Sequence, residues 1–225
     1  MPRPLVAITT DLIDRNARPT AICTTAYAKR IERAGGLPVL LPPIPELAKS
    51  APQRFDAFVF TGGDDPVMEP FGVPTHPKAD RVHPDRQALE VELLKRLKAE
   101  HPDTPVLGVC LGMQLMALVD DATLDQYMPE TTPNAQRHWD ADHPIIPAPS
   151  CDWLAPGVVN SRHKQAISDP GALSVSATSD DGLIEALEDP SRRFYRAVQW
   201  HPERTETPAL GAKLFEALVH AARSG

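Results

Sequence analysis

Apolar and polar positions along the first half of the chain follow two alternating periods, and their order predicts an architecture. Leu5 to Thr9, LVAIT, is a β-branched run bounded by proline and Asp11, which predicts a buried strand. After a loop, apolar residues recur at helical spacing from Thr20 to Ala34, TAICTTAYAKRIERA, and Gly35-Gly36 supplies the stop. LPVLLPP predicts a second strand ended by prolines, and DAFVFTGG, Asp56 to Gly63, a third that runs into paired glycines. Pro84-Asp85 opens a long amphipathic helix, DRQALEVELLKRLKAEH, and PVLGV returns as a fourth strand. Strands that alternate with helices in this way form parallel sheets with right-handed crossovers and helices on both faces.

The second half has a different rhythm. VVNS, LSVSAT, GLIEAL and YRAVQW are short, β-like and separated by Gly, Asp and Pro turns, which predicts antiparallel or mixed strands added at one side. Ala209 to Ala222 is helical in pattern, and no repeat or low-complexity segment interrupts the chain. The expectation is one α/β domain over residues 1–225, since 225 residues suffice for a single sizeable core.

Composition narrows the function classes. Apolar residues make up 42% and charged residues 24%, far from the profile of a disordered chain. The 25 prolines fall mostly between periodic runs, as in PVLLPPIPEL and HPIIPAPSCDW, and predict rigid loops. A formal net charge of −7 without a lysine or arginine cluster argues against a nucleic-acid partner and for a small polar substrate. Cys23, Cys110 and Cys151 are odd in number and widely spaced, which predicts free thiols in a reducing compartment. The apolar run of MPRPLVAITTDL is too short for a signal peptide, and nothing later approaches a membrane-spanning length. The expected location is therefore the cytoplasm, with no membrane partner.

The candidate chemistry centres on VLGVCLGMQL, Val106 to Leu115. A strand entering Gly-x-Cys-x-Gly and leaving as a helix is the thiol form of a nucleophile elbow, with the thiol exposed at the carboxyl end of the sheet. The positive end of a helix starting at Leu111 favours a thiolate there, although a buried core cysteine in a glycine-rich turn has the same local sequence. AVQWHPERT ends a strand with His201-Pro202-Glu203, an imidazole followed two residues later by a carboxylate that could fix its tautomer. FTGGDDP places Gly62 and Gly63 at a strand end, where backbone N–H groups, together with that of Leu111, could bind an oxyanion.

These segments, with AITTD, AGGLPVLLPP, VNSRHKQAI and DGLIEAL in the same order, resemble the class I glutamine amidotransferase-like superfamily. Within it they resemble the cysteine hydrolases of the γ-glutamyl-γ-aminobutyrate hydrolase, or peptidase C26, type. The resemblance spans nearly the whole chain and implies a flavodoxin-like fold. It implies Cys110 as nucleophile, His201 as base and Glu203 as third member, with Gly63 and Leu111 as oxyanion donors. Gly62, Gln114, Asn160, Ser161 and His163 are expected to border the γ-glutamyl pocket. The chain departs from the hydrolase pattern in several places. Leu111 and Lys164 stand where arginine and a second histidine are usual, Asp120-Asp121 replaces a Gly-Gly, and an Arg-Asp pair appears as Arg86-Gln87.

Three functions follow from this reading. The first is an amidohydrolase that cleaves γ-glutamyl amides through a γ-glutamyl thioester and needs no cofactor. The second is a glutaminase subunit that passes ammonia to a separate synthase chain, a role for which Leu111 is typical. The third is a thiol sensor or scaffold on the same fold. Expected partners are a small-molecule γ-glutamyl substrate, a second copy of the chain in a homodimer and, under the second reading, the synthase. An aliphatic Leu111 at the leaving-group side predicts a preference for neutral, apolar or cationic amines over carboxylate-bearing ones. His138, His143, Cys151 and His163 show no metal-ligand spacing, so no metal is expected. His76 and His83 are expected as solvated loop residues, Cys23 as helix packing, and Trp139 and Trp153 as loop anchors or pocket walls.

Overall fold

A computed structural model describes residues 2–223. The first strand, β1 (Leu5–Thr9), is followed by a hairpin of β2 (Asp11–Asp14) and β3 (Pro19–Ile22), then α1 (Thr25–Arg33), β4 (Leu37–Leu41), β5 (Ala57–Phe60) and α2 (Pro84–Glu100). The strand β6 (Val106–Val109) leads into α3 (Leu111–Val119), β7 (Thr123–Asp125) and the short α4 (Met128–Thr131). The remaining elements are β8 (Trp139–Pro147), β9 (Gly157–Arg162), β10 (Ala166–Asp169), β11 (Ser174–Ser179), β12 (Ile184–Glu188), β13 (Tyr195–Val198) and α5 (Ala212–Arg223).

One sheet in the order β4-β1-β5-β6-β13-β12-β11-β8-β9 runs through the molecule. Its first five strands are parallel, and β12, β11, β8 and β9 continue it antiparallel, with β10 attached to β12 and β7 to β10. The parallel part is buried on both faces, so its strands are apolar throughout. Alternation divides their side chains between two cores: Ala7, Phe58 and Phe60 meet α2 and α3, whereas Val6, Ile8 and Val59 meet Ile31 of α1 and Phe215 and Leu218 of α5.

Two expectations are corrected. The helix expected from Thr20 starts at Thr25 behind an N-cap at Thr24, and the segment before it forms the second arm of the β2–β3 hairpin. Asn16 and Ala17 both hold positive φ in the two-residue turn, closed by reciprocal bonds between Arg15 and Arg18. Alanine in place of the usual glycine concealed that turn. The stretch HPIIPAPSCDW is not all loop, because β8 runs through Pro147. It pairs with β9 from Trp139 to Ile145 and with β11 only from Ile145 to Pro147. Incomplete ladders tolerate residues without an N–H.

Candidate active site

The turn between β6 and α3 holds Cys110 at φ 51° and ψ −107°, a left-handed conformation rare for a residue with a side chain. Close packing enforces it. A Cβ at Gly112 would overlap the carbonyl oxygen of Phe60, and one at Gly108 would overlap Met116 Sδ and approach the Gly112 carbonyl to 3.0 Å. The two glycines let α3 lie against β5 and β6 while the strained turn turns the thiol away from the core toward a cavity that Cys110 lines. The thiol lies 3.9 Å from the carbonyl oxygen of Arg162.

His201 follows the end of β13, the neighbour of β6, so its ring meets Cys110 beside Gly62. Its backbone is fixed by an N–H bond to the Asn160 carbonyl, and the Thr205 N–H and hydroxyl both donate to the His201 carbonyl. The ring Nδ1 lies 2.9 Å from Glu203 Oε1, and both side chains are buried. A carboxylate only accepts, so Nδ1 carries a hydrogen and Nε2 is left for the thiol. Burial opposes a charged imidazole, but hydrogen bonds to Cys110 and Glu203 outweigh it and raise His201 from 6.5 to about 10. The imidazolium is thereby the favoured partner of a thiolate.

Across the cavity, β5 ends at Thr61-Gly62-Gly63. The Gly62 N–H is taken by the Tyr27 hydroxyl at 3.2 Å, whereas no hydrogen bond occupies that of Gly63 among the described residues. Leu111, in the first turn of α3, has no intrahelical acceptor for its N–H. Beneath the loop, the fully buried Arg86 donates to the carbonyls of Thr61 and Gly62 at 2.9 and 3.1 Å and pairs with Glu90 at 2.9 Å and Asp11 at 3.4 Å. Neither Tyr27 nor Arg86 was assigned a role from sequence. Tyr27 sits within a helical pattern that reads as packing, and Arg86 in a charged helix start that reads as solvated.

The cavity measures about 420 Å³ and takes its lining from Gly62, Gly63, Cys110, Gln114, His163 and His201, among others. Asn160 and Ser161 do not line it. The Asn160 amide bonds Asp142, and Ser161 is fully buried with its hydroxyl 2.8 Å from His143, so the two side chains are engaged on opposite faces of β9. Leu111 contributes only backbone: its side chain lies in the core between α2 and the sheet and cannot read a leaving group. Arg162 and Lys164 do line the cavity, stacked over Trp139 at 4.7 and 4.3 Å. Asp64, Asp65 and Asp80 line it as well, and the Lys164 charge acts on Asp65. Burial, added to the charges of Asp80 and Asp64, pushes the Asp65 carboxyl up to about 6 despite an Asp80 backbone bond.

Cys23 also lines the cavity rather than packing within a helix, and burial pushes its thiol up to about 11. Trp153 and Cys151 lie outside the lining. His83 caps α2 by accepting from the Asp85 N–H, and His76 stacks on Tyr127 with ring centroids 5.1 Å apart.

Behind the cavity wall, His138, His143 and His163 converge on Glu185, with all four side chains buried. Cys151 is not in this group. The cluster was invisible as spacing because its members come from a 3-10 turn, β8, the segment after β9 and β12. Glu185 in particular reads as the solvent face of GLIEAL.

The family model of peptidase C26 matches residues 4–203. Rv2859c of Mycobacterium tuberculosis, a protein named after the glutamine amidotransferases, is 37% identical over 216 residues, covering 91% of this chain and 68% of its own. The γ-glutamyl-γ-aminobutyrate hydrolase of Escherichia coli is 26% identical over 222 residues, with 87% and 84% coverage. In fold, the glutaminase domain of Trypanosoma brucei CTPS superimposes with a TM-score of 0.67 at 18% identity, over 98% of this chain and 94% of that one. Among the described residues no helix is long and apolar enough to cross a membrane.

Proposed function

The chain belongs to the peptidase C26 family and is a hydrolase of amide bonds, and from that premise we propose that it cleaves γ-glutamyl amides through a γ-glutamyl thioester on Cys110. The observation that carries the reading is the strained Cys110 turn facing the His201–Glu203 pair. The Cys110 thiolate attacks the side-chain carbonyl, and the oxyanion that forms is met by the N–H groups of Gly63 and Leu111. His201, protonated and held by Glu203, gives its Nε2 proton to the departing amine nitrogen. Water then enters, loses a proton to the same Nε2 and adds to the thioester carbonyl, and collapse releases glutamate and the thiolate.

Gln114 and His163 border the γ-glutamyl part of the cavity in this reading. Arg162 and Lys164 offer positive charge to the substrate α-carboxylate. The aspartates at positions 64, 65 and 80 face the departing amine and favour a neutral or cationic one over one bearing a carboxylate. The preference expected from Leu111 is thus kept but transferred to residues on the cavity wall.

A glutaminase that delivers ammonia to a synthase chain would use the same chemistry, and the likeness to a glutaminase domain favours it as the second reading. One experiment separates the two: purified protein is offered γ-glutamyl amines and free glutamine, and glutamate release is followed. Turnover of γ-glutamyl amines by the protein alone supports the hydrolase. Glutaminase activity that emerges only on adding a cell fraction supports the second reading, and a protein inert toward every amide refutes both.

A further inference from the structure

The buried His138, His143, His163 and Glu185 cluster supplies no reacting group to the hydrolysis, although His163 also borders the cavity, and its hydrogen-bonding pattern is unusual. Each imidazole has its outer nitrogen facing an oxygen that can only accept. His163 Nδ1 lies 2.7 Å from the Gln165 carbonyl, His143 Nδ1 3.2 Å from the Pro144 carbonyl, and His138 Nε2 3.1 Å from Asp181 Oδ2. These outer nitrogens therefore carry hydrogen, and each neutral ring turns a lone pair inward. The inward atoms, His138 Nδ1, His143 Nε2 and His163 Nε2, lie 3.4, 3.4 and 3.5 Å from Glu185 Oε1.

None of those three contacts is a hydrogen bond. Both Glu185 oxygens and the inward nitrogens of His138 and His163 are buried without a hydrogen-bond partner, and only His143 Nε2 has one, the Ser161 hydroxyl at 2.8 Å. Three lone pairs facing a carboxylate repel it; protonating one ring pairs one contact and leaves the other two repulsive, and protonating all three would bury three positive charges against one negative. A cation among them turns every contact attractive. In a tetrahedral site with metal bonds of 2.0–2.1 Å the ligand atoms stand about 3.4 Å apart, which matches the spacing from Glu185 Oε1 to the three nitrogens, and all four donor atoms lie within 4.8 Å of one another. The outer bonds to two carbonyls and a carboxylate are the supports that fix ring orientation at metal sites.

We infer that His138, His143, His163 and Glu185 bind a divalent first-row transition ion, foremost zinc, in a closed structural site. Imidazole and carboxylate donors suit that ion, and four protein ligands away from solvent leave no open position for chemistry. The ion ties the turn before β8, β8 itself, the segment after β9 and β12 into one wall. His163 stands between Arg162 and Lys164 on that wall, and its N–H donates to the His138 carbonyl at 2.8 Å. The Ser161 hydroxyl rotates off His143 as the ion enters.

Zinc is counted by plasma mass spectrometry in protein expressed with added zinc and then desalted, and chelator-treated protein is titrated with cobalt(II). Wild-type chain should hold one zinc, show the visible bands of four-coordinate cobalt and gain thermal stability on zinc addition. Glu185→Gln and His143→Gln should lose the ion. Because changes at buried positions can prevent folding, Asp181→Asn supplies an independent arm: Asp181 is partly exposed and reaches the site only through His138. Its zinc affinity, measured against a chromophoric chelator in protein with native circular dichroism, should fall about ten- to a hundredfold. Cys110→Ala should retain the full zinc content. Wild-type protein that takes up neither metal, Asp181→Asn with wild-type affinity, or zinc that disappears with Cys110 would overturn the assignment.

Discussion

Glu203→Gln tests how the active site holds its charge. In the native protein the His201 Nδ1–H donates to Glu203 Oε1 over 2.9 Å in a buried setting. Glutamine has the same shape and can offer its amide oxygen to the same hydrogen, so the bond persists but loses its charge. Hydrogen bonds to an ionised partner contribute about 1.5–3 kcal/mol against about 1 for neutral ones. The difference of about 1.4 kcal/mol corresponds to about one pKa unit. The imidazole, raised to about 10 in the native site, is protonated below that pH. Weakening the bond lowers its pKa, so the alkaline limb of kcat/KM should move about one unit toward neutrality. Turnover at the optimum should fall about tenfold, since 1.4 kcal/mol in the barrier is one decade. The assay is kcat/KM on one γ-glutamyl amide from pH 5 to 11, for both proteins, with circular dichroism to confirm the fold. An alkaline limb that stays in place while the variant folds would refute the role given to Glu203.

Other consequences follow from the same geometry. Cys110→Ala should abolish turnover with the fold intact. Cys23→Ala and Cys151→Ala should keep most activity, because burial holds Cys23 as a thiol and Cys151 lies off the cavity; an inactive but folded Cys23→Ala would identify a second working thiol. Gly112→Ala should lower stability by about 1–3 kcal/mol, as overpacking does, read as a reduced urea midpoint, because its new methyl group meets the Phe60 carbonyl. Leu111→Arg should destabilise by about 3–5 kcal/mol, the cost of an uncompensated buried charge, rather than alter the preferred leaving group. Arg86→Lys should lower kcat with little change in KM, since a single ammonium cannot hold the Thr61 and Gly62 carbonyls while pairing with Glu90; equal loss in both parameters would place Arg86 in substrate binding.

The local code of the chain determined the parallel half of the fold and marked the candidates for the reactive groups. LVAIT, DAFVF and PVLGV are apolar runs too short for helices, and the glycines around Cys110 mark a tight turn whatever surrounds them, so periodicity and turn chemistry sufficed. His201 and Glu203, two residues apart, carry their relation within the sequence itself. What stands opposite what was decided only by tertiary structure. Asn160 and Ser161 share a strand with Arg162, yet the pleat of β9 and its pairing with β8 turn their side chains to Asp142 and His143. Leu111 follows Cys110 in the chain, but only the packing of α3 in the core buries its side chain away from the cavity. The three histidines and Glu185, spread over 48 positions from His138 to Glu185, meet because β8, β9 and β12 are brought together by the added antiparallel strands. Sheet register is a long-range property, summed over many cross-strand contacts, and no window of sequence contains it.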